Sequence, residues 1–281
     1  MHRSITTLCV FGVIALAAGP AAAQWPSYPS RDVPRNADGT VDMDAPTPRT
    51  AWGTPDFTGI WEILPGAIGG GTESRDQSQP SLPEQKPGDP PYATFFDIGA
   101  NIEGGAPYQD WARELKAERT SRGMQDNPDA HCLPMGPMQF HLHPQPRKII
   151  QTQDVIVILY EGNAGIRQIY LDGRHSPDDD PLPWWYGYSW GRWDGDDLVV
   201  TTTHMKDTWL DVFGSPFTEN GTIVERFRRP SFGHMQIDIT IDDPTAYTKP
   251  FTVRVEHTIL VDSNLIEFVC AENEQSSEYY D

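Results

Sequence analysis

Residues 184–211 read WWYGYSWGRWDGDDLVVTTTHMKDTWLD, and this stretch decides the fold class, because it holds five of the nine tryptophans and the clearest hairpin signal in the chain. Asp194-Gly195 lies between two runs rich in β-branched and aromatic residues. It is the dipeptide a two-residue type I′ turn asks for, since both central positions need positive φ. That turn predicts a register with Trp193 opposite Asp196, Arg192 opposite Asp197, Trp190 opposite Val199, Tyr188 opposite Thr201 and Tyr186 opposite Thr203. Side chains alternate across a strand, so one face carries Trp184, Tyr186, Tyr188, Trp190 and Arg192. The other carries Gly187, Ser189 and Gly191 between Trp185 and Trp193. Such an aromatic wall reads in two ways. It is either barrel or sandwich core, where aromatics are ordinarily buried, or a pocket that stacks on a flat ligand, with Arg192 and the tyrosine hydroxyls as polar handles.

Outward from this hairpin the chain is almost continuously β. Strands are expected at 57–64, 148–153, 155–161, 166–172, 185–193, 197–203, 222–229, 235–242, 251–260 and 265–270. Met235, Ile237, Ile239 and Ile241 alternate with polar residues, as do Phe251, Val253, Val255, His257 and Ile259, the pattern of strands with one wet face. The expected fold is all-β: an antiparallel barrel or strongly curved sheet of about ten strands, lipocalin-like in outline. One helix is expected at 108–122, with Trp111 and Leu115 on its packing side and Gly123 as its stop. Residues 24–56, rich in Pro and polar residues, read as an extended arm. Residues 57–281 read as a single β domain in which 65–106 is a long irregular span, a lid, a wrapping loop or disorder.

The first 23 residues have the pattern of a secretory signal peptide, with Arg3, an apolar run from Ile5 to Ala18 and Ala21-Ala22-Ala23 before Gln24. The expected address is periplasmic or extracellular, with no membrane span. Cys9 would leave with the signal. Cys132 and Cys270 then remain in an oxidising compartment, where a disulfide between them is the default expectation. The formal net charge of −19 disfavours nucleic acid and anionic lipid, and leaves a neutral small molecule as the expected partner.

Nucleophile elbows, phosphate loops and dinucleotide fingerprints are absent from the sequence. His141 and His143 have a spacing that suits a metal on an extended segment, but no third ligand lies nearby in sequence. Asp178 to Asp180 and Asp194 to Asp197 lack the spacing of a calcium loop. No metal and no cofactor are therefore expected, which leaves acid and base. Asp207, Asp211 and Glu219 lie among Trp209, Phe213 and Phe217, where desolvation raises a carboxyl pKa toward the range useful for proton transfer. Neighbouring strands add Glu161, Arg167, Tyr170, Asp172 and Arg174, and later Glu225 and Arg226. For Glu161 the plain alternative is an ion pair with Arg167 across the Gly162 to Gly165 turn.

Together, PDFTGIW, CLPMGP, ILYEGNAGIRQIYLDGRHSP, LPWWYGYSWGRWDGDDLVV, KDTWLD, ERFRRPSFGHMQIDITIDDPTAYTKPF and LIEFVCAENE resemble a broad family of exported, mostly uncharacterised bacterial proteins over residues 54 to 276. That family is similar to secreted, cofactor-independent β-etherases acting on lignin-derived β-aryl ethers. Where its pattern often reads Gly-x-Pro-His-Ser-Glu, this chain has Gly214-Ser215-Pro216-Phe217-Thr218-Glu219, so a role for that histidine does not carry over. Glu219, Asp207, Trp209, Asp211, Glu225 and Arg226 keep their positions. The resemblance implies cleavage of a C–O ether bond in a small aromatic compound by acid/base chemistry. In that chemistry Asp207, Asp211 or Glu219 is the base, and Tyr170, His141 or Arg167 the donor. The rival class is a non-catalytic exported binding protein using the same aromatic cavity.

Overall fold

Alternation between an apolar inward row and a polar outward row is what folds this chain. In the computed structural model, which describes residues 30–64, 82–177 and 182–272, it produces eleven strands. They are β1 (Gly59–Ile63), β2 (Arg147–Gln151), β3 (Val155–Tyr160), β4 (Ile166–Tyr170), β5 (Tyr188–Asp194), β6 (Asp197–Thr203), β7 (Thr208–Trp209), β8 (Pro216–Phe217), β9 (Thr222–Arg228), β10 (His234–Asp242) and β11 (Phe251–Ile259). The expected signal peptide, residues 65–81 of the irregular span and Asp178 to Asp180 lie outside the described residues.

Among the described residues, nine of these strands close a barrel in the order β1-β11-β10-β9-β6-β5-β4-β3-β2, while β7 and β8 pair separately. The sheet is mixed and has nine strands, where about ten antiparallel strands were expected. An odd number of strands cannot close with antiparallel neighbours alone, and the parallel junction falls between β4 and β5. It is short, pairing only Ile169 with Ser189 and Tyr170 with Trp190. The missing strand is 265–270, which has no ladder. Its apolar residues Ile266, Phe268 and Val269 are all exposed, so no buried face holds it in a sheet. Instead it leads to Cys270, which is bonded to Cys132 with Cα atoms 5.5 Å apart.

The central hairpin forms, but one residue further along than expected. Asp194 pairs with Asp197, so Gly195 and Asp196 are the turn's central residues, and Trp190 faces Thr201 in place of Val199. Gly195 has φ +64° and Asp196 is not among the residues with positive φ. That is the pattern of a II′ turn, with glycine first, which displaces the I′ reading. The partner of each β5 residue therefore moves by two positions, and a two-residue shift keeps every side chain on its own face.

The aromatic row of β5 turns away from the barrel interior. Ser189, Gly191 and Trp193 look into the barrel, where Trp193 stacks on Phe57 at 6.1 Å, and Tyr188, Trp190 and Arg192 look out. Most inward positions are apolar, and Ile237, Ile239 and Ile241 are fully buried, each burial stabilising by roughly 1.5–3 kcal/mol. Two helices belong to the long β1–β2 connection. The first, α1 (Asp110–Ser121), lies within the expected 108–122. Ala112 is its buried residue, while Trp111 is 41% exposed. The second, α2 (Pro137–Leu142), was not foreseen, and all six of its residues are buried. Before β1, residues 30–56 run along the barrel end, tied by Met43, Ala45 and Thr47 to the backbone of Arg229, Phe232 and Gly233. Among the described residues no helix is long and apolar enough to cross a membrane.

Candidate functional site

Among the described residues, five strands place an ionisable side chain on the inward row, in step with apolar neighbours. They are Arg147 beside Ile149, Tyr160 beside Ile158, Arg167 beside Ile169, Glu225 between Ile223 and Phe227, and His257 beside Val255. Helix α2 adds His141. Each of these six is at most 3% exposed.

Glu225 is the hub. Arg167 donates two hydrogen bonds to it, Nη1 to Oε1 at 2.8 Å and Nη2 to Oε2, and His141 Nε2 lies 2.6 Å from Oε1. Arg167 also donates to Ser189 Oγ at 3.1 Å and Thr202 Oγ1 at 2.8 Å, which fixes its fork in one plane. Burial by itself would raise the Glu225 pKa. The Arg167 charge and its hydrogen bonds more than offset that, and with help from His141 they bring it down to about 2. For His141 burial is the larger effect and lowers its pKa, with Glu225 opposing. At neutral pH the site therefore holds an ionised carboxylate, a guanidinium and a neutral imidazole.

A second half faces this one. Arg147 donates to the carbonyls of His141 and His143 and lies 2.5 Å from His257 Nε2. It has no carboxylate bonded to it, and burial lowers its pKa to about 10. His257 is pushed well below its usual range by burial first, then by Arg147 and His141.

The His141 tautomer follows from its partner. Ionised Glu225 only accepts, so neutral His141 carries its proton on Nε2 and presents a bare lone pair on Nδ1. His257 Nε2 lies between Arg147 Nη1 at 2.5 Å, which only donates, and the His141 carbonyl at 3.0 Å, which only accepts, so the two contacts draw its tautomer in opposite directions. The two rings are 5.9 Å apart. Among the described residues neither Nδ1 has a hydrogen-bond partner, and nor do Arg147 Nε or the Tyr160 hydroxyl close to Arg167. A folded protein keeps few buried polar atoms unpaired, each costing about 1–3 kcal/mol. Here four belong to one network of linked side chains: His141 Nδ1, an acceptor, His257 Nδ1, and the donors Arg147 Nε and the Tyr160 hydroxyl.

Beside this interior lies a cleft of 380 Å³ between β4 and residues 183–189. Tyr170, Trp184, Trp185, Tyr186, Tyr188 and Lys206 line it, and Arg167 and Ser189 border its deep end. The short β4–β5 pairing explains the gap, because the strands are bonded only at 169–170 and splay below. Gly187 shapes the rim. At φ +64° it breaks the strand, and a Cβ there would sit 2.5 Å from Met205 Cγ and 2.6 Å from the Thr203 carbonyl. The expected five-residue wall is therefore divided. Trp184 and Tyr188 stay outside, 5.6 Å apart. Tyr186 turns inward to Phe140, at 5.6 Å, and to Tyr160.

The other expected site residues lie elsewhere. No helical turn joins Asp207 to Asp211, because β7 runs between them. Asp207 is exposed and accepts the Glu219 backbone N–H, and Glu219 is exposed as well. Asp211 is fully buried, but its carboxylate holds the backbone N–H groups of Ile98 and Ser215 together with the Ser215 hydroxyl. Trp209 packs under the Arg119 guanidinium at 4.5 Å. Glu161 accepts from Ile266 N and does not pair with Arg167, whose partner is Glu225. His141 and His143 diverge, the latter lying 3.5 Å from Asp129. Among the described residues no three His, Cys, Asp or Glu side chains converge as metal ligands.

Of the expected catalytic residues, the interior network contains His141 and Arg167, and Tyr170 lines the cleft. Glu225 was singled out in the sequence without an assigned role, and His257, Arg147 and Tyr160 were not among the expected residues. Comparison with family models, with curated proteins and with solved structures finds no match for this chain.

Proposed function

We propose that this protein is an exported enzyme that cleaves a C–O ether bond of a small, neutral aromatic compound by acid/base chemistry. The observation that carries the proposal is the set of buried polar atoms without a partner on His141, His257, Arg147 and Tyr160, in the network that includes Glu225 and beside an aromatic-lined cleft. Unpaired polar atoms at such a density are costly, and a reacting molecule that completes them explains why they persist.

In this reading His141 Nδ1 takes the proton of a substrate hydroxyl next to the ether. Glu225 accepts from Nε2 and stabilises the imidazolium that forms, while Arg167 keeps Glu225 ionised and aligned. The alkoxide oxygen attacks the ether carbon, and the C–O bond breaks with its electron pair on the aryl oxygen. Arg147 and the Tyr160 hydroxyl stabilise that developing charge, and the His141 imidazolium returns its proton to the aryl oxide, giving a phenol and an epoxide. His141 is thereby neutral again, and the cycle needs neither oxidant nor reductant. The cleft aromatics hold the rings of the substrate. A net charge of −19 fits a neutral ligand better than an anionic one.

The test is incubation of the purified mature protein with a panel of aryl ethers and esters, with and without chelator, and detection of released phenols by mass. Release from ethers that is insensitive to chelator is the expected result. One observation favours the rival reading of a non-catalytic binder: His141 and His257 are at most 2% exposed. Saturable binding of the same ethers with no phenol released would establish that reading in place of catalysis.

A further inference from the structure

We infer that the outer face of β4 and β5 is a distal subsite, and that the ligand of this protein is an uncharged aryl-ether oligomer of three or more rings. This rests on the proposed function for the identity of the linkage. The cleft has room for part of such a molecule, and its rim continues without interruption onto the outside of the barrel. Tyr188 belongs to both. It lines the cleft, and it lies 5.4 Å from Tyr170, 5.6 Å from Trp184 and 6.2 Å from Trp190. Trp190 is outside the cleft lining, on the outward row one step along β5.

This row is not core. Trp184 is 45% exposed and Ile166, on the outward row of β4, is 57% exposed, whereas the inward Arg167, Ile169 and Ser189 are buried. Register holds the platform in place. Tyr170 pairs with Trp190 across the parallel junction, and Trp190 faces Thr201 on β6. The rings are mutually tilted by 30° to 49°, so they form a shallow trough and not a stack closed on itself. Arg174 lies 4.1 Å over Tyr170 and is bonded to Asp172, which makes that edge of the trough electrically neutral.

Three features select the occupant. Continuity with the cleft requires a molecule that spans both places. The rings spaced along Tyr188 and Trp190 suit successive flat units. The overall negative charge opposes polyanions and anionic lipid. A neutral multi-ring ether satisfies all three, entering the cleft with one linkage while its next rings rest on Tyr188 and Trp190.

The experiment uses the mature chain and a series of neutral β-aryl ethers with two, three and four rings, with cello-oligosaccharides of matched length as the comparison. Affinity is read by calorimetry and phenol release by mass. The expected result is that Kd falls by roughly two- to tenfold from two rings to three, the range a single aromatic pair supplies. Trp190→Ala should abolish that gain while leaving the two-ring Kd and the melting temperature nearly unchanged, and Trp190→Phe should restore much of it. Equal affinity for all lengths, or a length dependence that survives Trp190→Ala, overturns the inference. So does Trp190-dependent binding of the cello-oligosaccharides without binding of the ethers, which would make the trough a carbohydrate platform. Length-dependent, Trp190-dependent ether binding without phenol release would leave the subsite standing and remove the catalytic reading alone.

Discussion

Replacing Glu225 by Gln keeps the shape of the hub and removes its charge. Three donated hydrogen bonds meet at this carboxylate, and its two arginine bonds face the Arg167 fork. A glutamine oxygen at the Oε1 position retains His141 and one arginine nitrogen, but its amide nitrogen then confronts Arg167 Nη2, donor against donor. The guanidinium, 1% exposed, is left without a counter-charge. Breaking a buried pair in this way costs about 3–5 kcal/mol. The depression of the Glu225 pKa from 4.5 to about 2 corresponds, at about 1.4 kcal/mol per unit, to about 3 kcal/mol, in the same range. At roughly 2–4 °C per kcal/mol for a domain of this size, the melting temperature at pH 7 should fall by about 6–20 °C.

The sign with pH is definite. The folded pKa lies below the unfolded one, so the stabilisation is fully present above about pH 4.5 and is lost as pH falls toward 2. Melting curves of the wild type and Glu225→Gln, recorded by circular dichroism from pH 7 to pH 2, should converge at the acid end. A constant gap, or a drop of less than about 2 °C at pH 7, would refute the description of Glu225 as an ionised hub.

Glu256 has the opposite sign. Burial, the largest cause, raises its pKa to about 7, its Oε1 accepts from Gln236 at 2.7 Å, and it is 3% exposed. Its contribution is therefore present below about pH 4.5 and lost as pH rises through 7, so Glu256→Gln should raise stability at pH 8 by up to about 3 kcal/mol and change little at pH 4.5. Equal melting temperatures at both pH values would contradict this. Gly187→Ala forces a Cβ into Met205 and the Thr203 carbonyl at a φ of +64°, costing at least about 1–2 kcal/mol from the backbone conformation alone. It should also displace Tyr186 from Phe140, visible as altered near-ultraviolet dichroism, and an unchanged spectrum and melting point would mean that the turn relaxes freely.

Much of the fold was legible because it depends on local signals. The Cys132–Cys270 pairing followed from an even count in the expected compartment, and β10 and β11 from strict alternation. What failed depended on closure. Asp194-Gly195 satisfies a type I′ turn as well as Gly195-Asp196 satisfies its II′ relative, and only the ladder between β5 and β6 decides between them. The aromatic row was read as a cavity wall because aromatics are usually inward, whereas the curvature of the barrel gives the inside of β5 to its smallest residues, Ser189 and Gly191. The residue 265–270 alternation had no neighbour to pair with.

The interior site carried a signal that was not used. Arg167, Glu225 and His257 each fall in step with aliphatic residues, and His257 stands in the same row as Phe251, Val253 and Val255. A charged residue on an apolar row announces either a mispredicted strand or a polar cluster inside a barrel. Three on separate strands favour the second. That they meet one another, with α2 delivering His141 to them, is a tertiary fact that no spacing in sequence contains.

The central claim is that His141 Nδ1 is the base. His141→Gln tests it most directly, because the glutamine amide still donates to Glu225 and leaves the Arg167 pair intact. With any ether that the wild type converts, measured as phenol released per unit time alongside the ligand Kd, the account predicts a loss of kcat of about 10²- to 10⁴-fold with Kd within a few-fold of wild type. Turnover should also rise with pH through the lowered His141 pKa in the wild type, and this limb should vanish in the variant. Undiminished turnover by folded His141→Gln, with the pH limb retained, would contradict the account.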